Sequence, residues 1–89
     1  MSRRTEDRTK VGIDRLRARS EAHLYAGQCI TEVAEKFVEM MAPFEESHRG
    51  TVLKARQILI NLALSEMTVA QGLADVAEQE IASLEQVAA

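Results

Sequence analysis

Two residues of this 89-residue chain have a spacing that occurs in metal sites. Glu45 and His48 form a Glu-x-x-His pair, the motif that carboxylate-bridged di-iron bundles carry on inward helix faces. Such bundles need further inward glutamates, whereas this pair follows the only proline, Pro43, in a segment where we expect a turn. We therefore interpret Glu45 as a helix-capping acid and His48 as a solvated side chain. A metal-binding helical bundle is kept as a second alternative function.

His23 and Cys29 are the other residues that could take part in catalysis. His23 falls on an apolar stripe, where a hydrogen-bonded structural histidine is expected, and neither Ser20 nor Glu21 has the surroundings of an activated nucleophile. Cys29 has no cationic side chain within one helical turn to activate its thiol. A single cysteine also excludes an intramolecular disulfide and any multi-cysteine zinc module. The sequence predicts a protein that is not an enzyme and holds no cofactor.

Charge is divided unevenly along the chain. Residues 1–20 carry seven basic and three acidic side chains, whereas residues 57–89 contain no Lys, Arg or His. A basic start can contact phosphates. No recognition-helix signature, glycine-rich loop or aromatic stacking platform accompanies it. A small dimeric nucleic-acid-binding regulator is therefore the first alternative function, and its candidate phosphate contacts are Arg3, Arg4, Arg8 and Lys10.

Apolar residues recur at three- and four-residue steps along two segments, which is the pattern of amphipathic helices. We predict helices over about 9–41 and 51–87, a turn over about 42–50, and a frayed basic arm over residues 1–8. The second helix carries two seven-residue series, offset by three and rich in alanine, as in close-packed coiled coils. Their members are Ile60, Met67, Ala74, Ile81 and Ala88, and Ala63, Ala70, Ala77 and Leu84. The predicted fold class is all-α, an antiparallel helical hairpin that forms a single domain over residues 9–89.

Two further features bear on the topology. If the chain folds back near residue 46, the numbers of facing residues sum to about 92–94, so that apolar and charged side chains both find partners. The ion pairs expected from this register are Arg8–Glu85, Arg15–Glu78 and Arg19–Asp75. The segment from Thr68 to Gln71 matches a capping box. A helix break there would give the alternative fold, a three-helix bundle.

The second helix has more apolar surface than one neighbouring helix covers. At about 100° per residue, the apolar residues between positions 58 and 64 sweep roughly 240° of its circumference, with only Asn61 outside. A single seam uses about two positions in seven, so this arc needs several neighbours. We expect two hairpins to pair into a four-helix-bundle homodimer. The predicted partner or dimer interface consists of Ile30, Val33, Phe37, Ile58, Leu59, Leu62 and Met67.

These features together predict a protein–protein interaction module. It would act as an adaptor, an assembly subunit or a small chaperone that self-associates and binds a partner helix in a groove. The first residues lack the apolar core of a signal peptide, and the longest apolar run is far shorter than the ~20 residues that span a bilayer. We expect a cytoplasmic protein with no membrane partner.

Overall fold

The computed structural model describes the backbone of residues 3–88 and the side chains of residues 9–44 and 46–87. The chain forms two long helices, α1 over Arg3–Met41 and α2 over Glu45–Ala88. A short 3-10 turn over Ala42–Phe44 joins them, and the helices pack side by side along their length. The predicted all-α antiparallel hairpin is confirmed.

The turn is shorter than the predicted 42–50. Pro43 lies inside the 3-10 segment, and α2 begins directly after it at Glu45. Acidic residues favour the first turn of a helix, because they interact with its positive end, so Glu45 and Glu46 are compatible with this early start. Only His48, with φ −129° and ψ 23°, departs from helical geometry and kinks α2. The residues expected to form a loop after Phe44 are therefore helical on both sides of one kink.

Helix α1 also extends further than expected. It begins at Arg3, so the backbone of the arm predicted to be frayed is helical from that residue onward, while Met1 and Ser2 lie outside the described residues. The arm contains no proline and no glycine before Gly12, and its arginines are good helix formers.

The hairpin closes through small residues that recur every seven positions. Ala63, Ala70 and Ala77 of α2 are buried, whereas most of the chain remains exposed. Ser20 Oγ donates a hydrogen bond of 2.7 Å to the Ala70 carbonyl oxygen. A Cβ atom added at Gly27 would lie 3.2 Å from the Ala63 carbonyl oxygen. The two helices therefore approach each other closely, as the alanine-rich series predicts.

The register of the hairpin differs from the one predicted. The facing residues Ser20 and Ala70, like Gly27 and Ala63, have numbers that sum to 90 rather than to 92–94. The predicted ion pairs of Arg15 and Arg19 do not form, and Asp75 instead accepts a hydrogen bond of 2.9 Å from Gln71 Nε2. The side chain of Arg8 lies outside the described residues. Exposed ion pairs contribute only about 0.2–1 kcal/mol, so the fit of the alanine seam sets the register.

Helix α2 is continuous through Thr68, so the three-helix alternative is wrong. Thr68 Oγ1 donates to the Leu64 carbonyl oxygen at 2.9 Å, a bond typical of threonine inside a helix rather than at its start. The Gln71 side chain bonds Asp75 and does not reach back to Thr68, as a capping box requires.

The hairpin is a rod that measures 66 × 15 × 13 Å. Its radius of gyration is 19.9 Å, against about 12 Å for a compact domain of this length. Its accessible surface is 7042 Å², about 1,800 Å² more than a compact protein of 9.9 kDa exposes. Two helices alone thus leave a large area in contact with water.

Candidate protein-interaction surface

The seam between the helices uses the two predicted seven-residue series of α2. Ala63, Ala70 and Ala77 are buried, and the larger members, such as Ile60 and Met67, are partly buried beside them. The corresponding series in α1 also has seven-residue spacing and contains Ile13, Ser20, Gly27 and Ala34. This side of α2 is therefore occupied by α1.

A second stripe of uncharged side chains runs along the opposite side of α2. Its members follow at steps of four, three, four, three and four residues, which is the pattern of a coiled-coil seam. At 100° per residue, the stripe lies about 150° around the helix from the seam with α1. All six residues are exposed, and the large side chains Ile58 and Leu62 are 67% and 48% exposed. We call this surface the outer stripe, and it consists of Ile58, Leu62, Ser65, Val69, Gly72 and Val76.

The acidic side chains that flank the outer stripe are engaged within the chain. Glu66 Oε2 lies 2.5 Å from His23 Nδ1 on α1, so its carboxylate is drawn towards α1. Asp75 Oδ1 accepts the hydrogen bond from Gln71 on its other side. The stripe itself carries no charge, so an apolar helix can approach it without desolvating an unpaired carboxylate.

Gly72 has no packing role within the hairpin. A Cβ added there would meet no atom within 4 Å, and the residue keeps helical dihedral angles without a positive φ. Glycine costs about 1 kcal/mol relative to alanine inside a helix. Inside the outer stripe, the missing side chain leaves a hollow between Val69 and Val76. This hollow was not predicted, although the four- and three-residue steps from Ile58 to Val76 can be read in the sequence.

The predicted interface residues differ in how much of each side chain is exposed. Ile58 and Leu62 belong to the outer stripe, and Val33 of α1 is exposed. The remaining four are partly buried near the junction of the helices: Ile30, Phe37, Leu59 and Met67. Met67 in particular lies against Gly27, where its Cγ atom would be 3.1 Å from an added Cβ. Among the seven, Ile58, Leu62 and Val33 therefore have the most exposed side chains.

His23 makes the kind of hydrogen bond that its structural interpretation expects. Its ring nitrogen Nδ1 forms a hydrogen bond with Glu66 Oε2 across the seam, and the two side chains are 35% and 28% exposed. The partner Glu66 was missed, although the numbers 23 and 66 sum to 89 and fit the observed register. This pair stabilises the contact between the helices.

Cys29 is partly buried on α1 and lies one helical turn from the exposed Tyr25. A side-chain hydrogen bond with Cys29, together with the charge of the thiol when ionised, raises the pKa of Tyr25 above its usual 10.0. Burial and the nearby Glu32 raise it further. The interaction marks a local contact on one helix and provides no nucleophile paired with a base.

Of the candidate metal and phosphate ligands, His48 and Lys10 have described side chains. His48 is exposed at the kink of α2, and the side chain of Glu45 lies outside the described part of the chain. The described residues contain no group of three or more His, Cys, Asp or Glu side chains that could hold a metal ion. Lys10 is exposed, while the side chains of Arg3, Arg4 and Arg8 are not described.

Comparisons with protein-family models, with curated proteins and with solved structures give no match. Over residues 3–88, neither helix has a stretch long and apolar enough to cross a bilayer.

Proposed function

We propose that this protein is a non-enzymatic protein–protein interaction module that self-associates and binds another helix along α2. The observation that carries the proposal is the outer stripe, an uncharged row of exposed side chains with the spacing of a helix-packing seam. Adaptors, assembly subunits and small chaperones use such surfaces to bury the apolar face of a partner helix.

The exposed apolar residues support this role through their arrangement. Single apolar side chains are common on protein surfaces, but contiguous rows of them mark interaction sites. Ile58, Leu62, Val69 and Val76 stand in one row on one face of α2. Burying this row contributes roughly 25 cal/mol per Å² of apolar surface, which favours association with a second helix.

Leu62→Asp tests the proposal, with Leu64→Asp as its matched control. The two leucines lie two residues apart on the same helix and are 48% and 55% exposed, but only Leu62 belongs to the outer stripe. Burying a carboxylate without a partner opposes association, so Leu62→Asp should abolish self-association and partner binding while Leu64→Asp leaves both intact. Light scattering gives the mass, titration with a partner helix gives the affinity, and far-ultraviolet circular dichroism shows that both variants are folded. Unchanged mass and affinity in Leu62→Asp would refute the proposal.

A further inference from the structure

We infer that the outer stripe binds a second copy of this chain, with the two α2 helices antiparallel and Leu62 of one protomer packed against Gly72 of the other. This inference rests on the proposed function and specifies its partner and geometry. The α1 helices then lie on the outside of the pair, because the stripe is on the far side of α2 from the seam.

Self-pairing of the stripe brings large side chains against small ones in two of its three layers. In the antiparallel register in which facing residue numbers sum to 134, all six members of the stripe are used. Leu62 then meets the hollow at Gly72, and Val69 meets Ser65. The third layer pairs Ile58 with Val76, and twofold symmetry repeats each layer. A shift by one heptad leaves part of the stripe unpaired, so the fit selects this register.

The charges of α2 favour the same antiparallel orientation. Residues 49–56 carry three basic and no acidic side chains, and residues 78–85 carry three acidic and no basic ones. Both 49 with 85 and 56 with 78 sum to 134, so each basic segment lies at the level of the partner's acidic segment. A parallel pair would instead set like charges side by side, which is unfavourable.

The surface left open by the hairpin is large enough for this interface. The chain exposes about 1,800 Å² more than a compact protein of its mass, and a standard interface removes about 800 Å² from each partner. The axis of the pair lies near residue 67, in the middle of the uncharged row, so the rods overlap over the whole stripe. A second copy is therefore an occupant that complements the stripe in shape and whose charged segments lie level with segments of opposite charge.

Exchanging the large and the small side chain of the Leu62–Gly72 layer tests the inference on the full chain by sedimentation equilibrium. Gly72→Leu fills the hollow and should weaken the dimer about tenfold or more, because overpacking is costly and each interface contains the layer twice. Leucine is a better helix former than glycine, so the helicity of this variant should stay equal or rise while its dimer weakens. The double variant Leu62→Ala/Gly72→Leu moves the large side chain across the layer and should restore dimerisation to near the original strength.

Gly12→Leu is the control, since Gly12 is also an exposed helical glycine with no atom within 4 Å of an added Cβ. It should leave the dimer unchanged. A dimer that tolerates Gly72→Leu, or a double variant that stays as weak as Gly72→Leu, would overturn the assigned surface and register. A wild-type chain that stays monomeric at high concentration would overturn self-pairing. In either case, loss of binding to another helix in Leu62→Asp would still support the partner-binding part of the proposed function, so the two failures are distinguishable.

Discussion

The close approach of the helices at Gly27 predicts that alanine is destabilising there. An added Cβ would lie 3.1 Å from Met67 Cγ and 3.2 Å from the Ala63 carbonyl oxygen. The thioether of Met67 can rotate away, but the carbonyl belongs to the backbone of α2 and moves only if the helices separate. The steric conflict is therefore with the seam itself.

The expected size follows from two opposing effects. Replacing a helical glycine by alanine gains about 1 kcal/mol, whereas overpacking a well-packed site costs about 1–3 kcal/mol. We expect Gly27→Ala to lower the free energy of unfolding by about 1 kcal/mol. Gly12→Ala meets no atom within 4 Å and should raise this free energy by up to about 1 kcal/mol.

Urea unfolding followed by circular dichroism measures both variants. All chains must be compared at one concentration, because association makes the apparent stability depend on concentration. The sign of the difference between Gly27→Ala and Gly12→Ala is the decisive quantity. If both variants are stabilised equally, the helices are not in contact at Gly27 and the register with a sum of 90 is wrong.

Two further predictions concern single side chains of the hairpin. His23→Ala removes the bond to Glu66, whose carboxylate is partly exposed and can be hydrated. Urea unfolding should therefore show a free energy of unfolding that is lower by about 1 kcal/mol or less. A larger loss would contradict a solvent-accessible pair. Tyr25 is the only tyrosine, so the absorbance of its phenolate should report a titration midpoint above 10.0 that moves down in Cys29→Ala. Because the pKa is raised in the folded chain, the contribution of Tyr25 to stability is complete below 10.0 and is lost as the pH rises through the folded value. A midpoint unchanged by the cysteine substitution would exclude Cys29 as the main cause.

The side of α2 that contacts α1 was predictable because residues on one face of a helix recur at a fixed spacing in the sequence. The series through Ala63, Ala70 and Ala77 specifies both the helix and its contact side. The register was not predictable from charge, because long exposed side chains such as Arg15 and Arg19 gain little from any one partner. It follows instead from how closely Gly27 and the alanines allow the backbones to approach, which depends on three-dimensional fit.

The turn and the outer stripe show where sequence patterns are ambiguous. A cluster of proline, glycine and polar residues near Pro43 is compatible with a loop or with the start of a helix. In the structure, α2 begins directly after the 3-10 turn that contains Pro43. From the sequence, Gly72 could be interpreted only as a residue that lowers the stability of the helix. No atom of the hairpin lies within 4 Å of a Cβ added at Gly72, so packing within one chain does not explain the glycine. The structure shows that Gly72 belongs to the exposed row of uncharged residues along α2.

The composition of the seam explains why α2 would need a partner on its other side. Alanine, glycine and serine allow a close approach, but they bury little apolar area, and no large side chain among the described residues is fully buried. Several large side chains of α2, among them Ile58 and Leu62, remain exposed. In the proposed dimer these side chains supply the apolar burial that the hairpin lacks, so association and folding are linked. The midpoint of unfolding should then rise with protein concentration, and Leu62→Asp should remove this dependence while Leu64→Asp preserves it.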